Sequence, residues 1–307
     1  MKLGVTGNFV WSGPPVTELA QCIEASGFES MWMGEHPVIP VSASNAVRYG
    51  VPLPPNYRHM PDLFVSLSAA AAVTNRINFG TNICVIPQHD PINLAKAVAT
   101  LDRISGGRLI FGFGTGWIED EAEVFGYRFD KRLGVTLDYI RAIKEIWTNE
   151  ETSYSGEYVS FPPIHCNPKP LQKPHVPLLV GSGNDKTDNT KVLKRVARLG
   201  DGWLPSFLSP QQAKEQLAQL RGYCEEEGRD FSKMDISLII PAISFGVGDL
   251  PAWGAQAYDD LEPVDAQKLL AEYEEAGVGR ILVGLPDMED EKSFDRIREA
   301  ARGLGLG

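Results

Sequence analysis

The chain is poor in the features that would place it in several large protein classes. Only four cysteines, Cys22, Cys84, Cys166 and Cys224, occur in 307 residues, far apart and with no CxxC pair. That usage excludes a disulfide framework and fits free thiols in a reducing compartment. The five histidines, His36, His59, His89, His165 and His175, show neither HxH nor HExxH spacing, so no metal site is expected. A Walker A loop and a G-x-S-x-G nucleophile elbow are both absent. No stretch approaches the ~18 uninterrupted apolar residues of a membrane span. The opening MKLGVTGNF reads as a strand rather than a signal-peptide core, and a soluble, cytoplasmic protein is the expectation. Basic residues are outnumbered, 29 Lys and Arg against 40 Asp and Glu, a formal charge of −11. A nucleic-acid surface would carry a basic stripe, so nucleic acid is excluded as the expected partner.

What is present is a regular alternation of short β-rich runs and longer amphipathic ones. Strands are predicted at Leu3–Phe9, Glu29–Met33, Ile77–Ile86, Leu109–Phe113, Val176–Val180, Gly202–Leu204, Ile236–Phe245 and Arg280–Leu285. Helical stretches follow each, at Val16–Gly27, Pro61–Asn75, Ile92–Ile104, Glu119–Glu150, Thr190–Leu199, Pro210–Gly228, Val264–Ala276 and Glu291–Leu304. Alternation of this kind requires a parallel sheet with helical crossovers, and eight units close naturally into a (β/α)8 TIM barrel. With no shift in composition along the chain, residues 1–307 read as one domain. Two segments exceed the minimal unit. Pro37–Arg58 follows a strand, lies on the C-terminal face where barrel active sites sit, and is a candidate lid. Thr152–Pro174 contains the hairpin-like SYSGEYVSF and the stiff PKPLQKP.

Chemistry in a barrel sits at the C-terminal ends of strands. Strand two ends in Glu35-His36-Pro37, which could serve proton transfer or be a surface histidine beside proline. Strand three runs into His89-Asp90-Pro91, where Asp90 is a helix N-cap with Pro91 at the first helical position, and His89 is placed at the pocket rim. Cys84 lies in a strand context that favours burial over reactivity. Gly112, Gly114 and Gly116 remove side chains from one face of strand four, either for a flat ligand or for close packing. Gly181-Ser182-Gly183-Asn184, ahead of a helix, is either an anion site or a flexible loop.

Taken together these residues are familiar. The run Leu94-Ala95-Lys96 through Leu101-Asp102-Arg103-Ile104-Ser105-Gly106-Gly107-Arg108, continuing into Gly112-Phe113-Gly114-Thr115-Gly116-Trp117, resembles the signature of the bacterial luciferase-like superfamily of flavin- and deazaflavin-dependent oxidoreductases. Pro168–Pro174 and Ala197-Arg198-Leu199-Gly200-Asp201-Gly202-Trp203 match as well. The resemblance is strong to about residue 206 and looser beyond. It implies a cofactor ring in the barrel mouth, with His36 as the active-site histidine and Glu35 as the acidic residue before it. It also implies cofactor contacts from Gly114, Thr115 and Gly116 after strand four and a phosphate turn at Gly181, Ser182, Gly183 and Asn184. In the deazaflavin branch, strand three carries a bulge with a non-proline cis peptide behind the ring, which falls here at Asn82–Ile83. Luciferase proper carries an arginine to the cofactor phosphate after strand four, where this chain has Thr115.

The resemblance therefore implies an oxidoreductase moving a hydride to or from a small organic substrate with coenzyme F420, His36 handling the accompanying proton. Trp11, Trp117 and the Pro37–Arg58 loop are expected to line the pocket. An FMN-dependent monooxygenase using reduced flavin and O2 is the alternative, separable by oxygen consumption. A non-catalytic flavin-binding accessory barrel is a third, revived by binding without turnover. Homodimers through early helices are implied by the family, and the Gly246–Glu262 loop, with Trp253 and Tyr258, is placed beside the substrate.

Overall fold

The computed structural model describes residues 1–45, 47–48, 51–53, 55–184, 188–245, 265–285 and 288–306. Eight parallel strands close on themselves in chain order: β1 (Lys2–Thr6), β2 (Ser30–Met33), β3 (Asn78–Thr81), β4 (Leu109–Gly114), β5 (Leu178–Asn184), β6 (Gly202–Ser206), β7 (Asp235–Pro241) and β8 (Arg280–Gly284). Closure sets Lys2 opposite Arg280 across β1 and β8, and Leu178 opposite Phe111 across β5 and β4. Around this barrel lie α1 (Val16–Ala25), α2 (Leu63–Ala72), α3 (Pro91–Ile104), α4 (Glu119–Val124), α5 (Arg132–Thr148), α6 (Thr190–Leu199), α7 (Pro210–Glu226), α8 (Ala266–Ala276) and α9 (Lys292–Gly303).

Local chemistry places several helix ends. Asp90 accepts from the Asn93 amide with Pro91 at the first position of α3, as its sequence predicts. Ser209 and Gln212 form a capping box on α7. Gly277 ends α8 in the left-handed region, φ 100°. Each helix turns its apolar stripe to the barrel; on α5 that stripe includes Ile140, Ile143, Ile146 and Trp147, whose indole N–H donates to the Ala95 carbonyl of α3 at 2.9 Å.

The barrel lumen is filled by Trp32, Ile110, Leu179, Leu204, Ile239 and Leu282. The Trp32 ring occupies the space a side chain on Gly80 would need, so glycine is required there. Below Trp32, Arg280 is almost wholly buried and donates to Glu29 at 3.0 and 3.2 Å, to Asp235 at 2.8 and 2.7 Å, and to Ser237 at 2.7 Å. This charged plug closes the N-terminal end of the barrel, opposite the face that carries chemistry.

The sequence-based boundaries need correction in several places. The third strand does not run unbroken to Ile86: it stops at Thr81, and Cys84–Val85 pairs separately with β4 before a 3-10 turn at Ile86–Gln88. The Glu119–Glu150 helical region is two helices, because Gly126 adopts φ 74° and turns the chain between α4 and α5. β1 ends at Thr6, whereas β5 continues to Asn184. β7 ends at Pro241, and Ala242–Phe245 is a 3-10 turn rather than strand. Pro37–Arg58 contains 3-10 turns at Val41–Asn45 and Pro55–His59 and a short antiparallel ribbon, Val47–Arg48 with Val51–Pro52. The expected hairpin is present as Thr152–Ser155 with Ser160–Ile164. Gly246–Glu262 lies outside the described residues. No helix among the described residues is long and apolar enough to cross a membrane.

Candidate active site at the barrel mouth

Gly34 begins the turn that follows β2. A Cβ there would come within 2.6 Å of the Asn82 carbonyl, so only glycine lets the chain pass this close to β3. The turn delivers Glu35 and His36 side by side, yet their side chains join different networks. Glu35 is buried and accepts from the Val85 amide at 2.6 Å, with His89 Nε2 at 2.8 Å from the same oxygen. Its carboxylate thus anchors the segment after β3 and does not meet the His36 ring. For His89, burial alone would lower the pKa. The hydrogen bond and charge of Glu35, with the charge of Asp62, outweigh it and hold His89 above its ordinary value. Cys84 is fully buried, and burial, with the Glu35 charge added, pushes its thiol well up.

The structure therefore gathers Glu35, Cys84 and His89 with their ligand-type atoms within 4.8 Å of one another, a grouping that histidine spacing alone did not show. The Glu35 oxygen is already engaged by two nitrogens and the thiol is held protonated. The cluster reads as a hydrogen-bonded anchor rather than as metal ligands. His89 sits at its edge, partly exposed, with Phe64 packed edge-on at 6.0 Å.

His36 is held by a group the sequence reading missed. Its Nδ1 lies 2.6 Å from Glu121 Oε1, and Gln88 Nε2 donates to Glu121 Oε2 at 3.1 Å. Glu121 belongs to α4 and is completely buried. In sequence it is one of four acidic residues in Glu119–Glu123 and looks like a solvated charge run; only its place beside the apolar Ile118 and Ala122 marks an inward face. The His36 ring packs against Tyr57 of the lid segment, centroids 5.0 Å apart, and edge-on against Trp117 at 6.0 Å. Trp117 thus lies beside the histidine. Trp11 stands at the outer rim against His59 and is 70% exposed.

The candidate cofactor residues come from the tips of β3, β4 and β5. The Asn82–Ile83 peptide is cis, and the Asn82 amide donates to Thr6 Oγ1 at 3.0 Å. Ile83 lies between two glycines: a Cβ on Gly114 would come within 2.5 Å of Ile83 Cδ1, and one on Gly181 would overlap Ile83 Cγ2. The three residues make an apolar floor with bare backbone on either side. Thr115 Oγ1 is 3.4 Å from the Gly116 carbonyl, and Gly116 has φ 78°. Ser182 accepts from the Trp203 indole at 2.8 Å through its carbonyl, and Gly183 has φ 99° beside Asn189. Asn184 is the last residue of β5, and the following three residues are outside the described set. The bare, flat floor fits a planar tricyclic ring, and the glycine-rich β5 turn fits an anionic tail.

The chain belongs to the luciferase-like monooxygenase family, whose model matches residues 12–245. An uncharacterized protein of Mycobacterium tuberculosis is 35% identical over 290 residues, covering 93% of this chain and 92% of that protein. Two solved structures share the fold at low identity. An F420-dependent secondary alcohol dehydrogenase in complex with an F420–acetone adduct matches with TM-score 0.74 and 17% identity, covering 99% of this chain and 98% of that one. The oxygenating constituent of 3,6-diketocamphane monooxygenase from Pseudomonas putida, in complex with FMN, matches with TM-score 0.74 and 16% identity over the same shares.

Proposed function

We propose that this chain is an F420-dependent oxidoreductase that transfers a hydride to or from a small organic substrate, with His36 moving the accompanying proton. The observation that carries the reading is the clamped histidine: His36 is tied by Nδ1 to the buried Glu121 and flanked by Tyr57 and Trp117. A ring held this firmly at a strand tip is placed for proton transfer and for little else. The deazaflavin, when bound, supplies the hydride chemistry. Ile83, Gly114, Thr115, Gly116 and Gly181 would support its ring, Ser182, Gly183 and Asn184 its phosphate, and Asn82, through Thr6, the shape of the floor. Tyr57 and Trp117 exclude water and offer apolar and aromatic surface to the substrate. Glu35 holds the Cys84–His89 segment on which this floor rests.

An FMN-dependent monooxygenase is the second reading, favoured by the equal fold match to the FMN-bound oxygenating constituent. Thr115, standing where luciferase proper has a phosphate-binding arginine, weighs toward the deazaflavin. Fluorescence titration with F420 and with FMN separates the two: saturable F420 binding and weak FMN binding support the proposal, and the reverse assigns the protein to oxygen chemistry.

A homodimer is part of the same proposal. α2, LFVSLSAAAA, has no charged residue on any face, and its Val65 is 70% exposed. A helix apolar all round is normally covered on all sides, and sedimentation at micromolar concentration tests whether a second copy covers it.

A further inference from the structure

We infer that Glu121 is the positioning residue that fixes His36 in the tautomer protonated on Nδ1, so that the pocket receives a proton acceptor at Nε2. The inference deepens the proposed function, since it rests on His36 handling the proton.

Glu121 has no exposed surface, and each of its oxygens meets a nitrogen: Oε1 meets His36 Nδ1 at 2.6 Å, and Oε2 accepts from Gln88 Nε2 at 3.1 Å. The Gln88 amide can only donate through that nitrogen, so Oε2 is an acceptor. With Gln88 donating to Oε2, Oε1 is left as the acceptor for the ring nitrogen. The short contact to His36 then has one polarity, Nδ1–H donating to Oε1. In a neutral imidazole with Nδ1 protonated, Nε2 carries the lone pair. Among the described residues Nε2 has no hydrogen-bond partner, and Tyr57 and Trp117 pack against the ring while Nδ1 holds Glu121.

The consequence is directional. In this state the site takes a proton from a substrate that presents a donor, such as a hydroxyl, and cannot give one until Nε2 has been protonated. Glu121 lies 85 residues along the chain from its partner and does not face the substrate; it acts only through His36. The opposite arrangement, a protonated Glu121 donating to Nδ1, would place the proton on Nε2 and present a donor to the substrate.

The test reads the tautomer directly on cofactor-free protein labelled with 15N-histidine, using long-range 1H–15N correlation spectra and assigning His36 by comparison with His36→Asn. The expected wild-type result is a protonated Nδ1 and a bare Nε2 near neutral pH. Glu121→Gln retains an oxygen acceptor and should keep that tautomer. Glu121→Met removes the acceptor and should return His36 to the Nε2-protonated form that free histidine prefers in water. In the loaded enzyme Glu121→Met should lower kcat roughly 100-fold, the low end of general acid–base contributions, with cofactor Kd changed less than about threefold. A wild-type His36 protonated on Nε2, or a tautomer unmoved by Glu121→Met, overturns the inference. The wild-type spectrum decides even where Glu121→Met does not fold. Because it needs no cofactor, failure of F420 to bind would refute the proposed function and leave the tautomer result standing.

Discussion

Replacing Arg280 by methionine should cost the barrel about 3–4 kcal/mol of folding stability at neutral pH and leave the site intact. The guanidinium is 2% exposed and serves Glu29, Asp235 and Ser237 together, with its Cζ 5.6 Å from the Trp32 ring centroid. Methionine keeps much of the stem's packing and removes the charge. Breaking a buried ion pair from one side costs about 3–5 kcal/mol, because the partner charge is left unpaired. Glu29 and Asp235 are 23% and 28% exposed, so water can recover part of that loss and the lower half of the range applies. The penalty should also depend on pH. Burial by itself would raise the Glu29 pKa, but the hydrogen bond and charge of Arg280 prevail and hold it below the ordinary value. A depressed folded pKa contributes stability above the unfolded value, near 4.5, and that contribution disappears as pH falls through the folded pKa. The gap between wild type and Arg280→Met should therefore narrow below about pH 4.5. Urea denaturation at pH 7.5 and pH 4, with cofactor binding as the functional control, measures both effects. A loss under ~1 kcal/mol at pH 7.5, or a gap that widens in acid, would refute the reasoning.

His36→Asn should bind the cofactor with near wild-type affinity and lose turnover by roughly 100-fold or more; full turnover with cofactor bound would remove His36 from the proton path. Gly181→Ala would drive a methyl into Ile83 and set it 3.1 Å from the Phe113 carbonyl. It should destabilise the fold by about 1–3 kcal/mol and weaken cofactor binding, and an unchanged Kd would mean that Ile83 is not part of the floor. His89 has a raised folded pKa, so its ion pair with Glu35 is fully stabilising below the unfolded value, about 6.5, and is lost as pH rises through the folded one. The stability difference between wild type and His89→Gln, read by urea melts, should accordingly be larger at pH 6 than at pH 9.

The alternation of elements, the Asp90-Pro91 helix start, the hairpin at 152–164 and the burial of Cys84 were all legible in the sequence. Each depends on short-range chemistry: periodicity of apolar residues, a capping side chain, turn residues between β-rich runs. The family signature added His36 and the position of the cis bond at Asn82–Ile83. The tertiary structure decided which groups meet. Glu35 and His36 are neighbours in the turn after β2, but their side chains part: one carboxylate, Glu35, went to Val85 and His89 and a different one, Glu121, came to His36. Gly114 could serve a flat ligand or close packing, and Gly181 an anion site or a flexible loop; closing β4 against β5 showed that both make room for Ile83. Arg280 opens the last strand, and only closure of β8 between β7 and β1 made it the plug of the barrel. These pairings join residues tens to hundreds of positions apart, and they follow from the register of a closed sheet, which no local pattern in the sequence encodes.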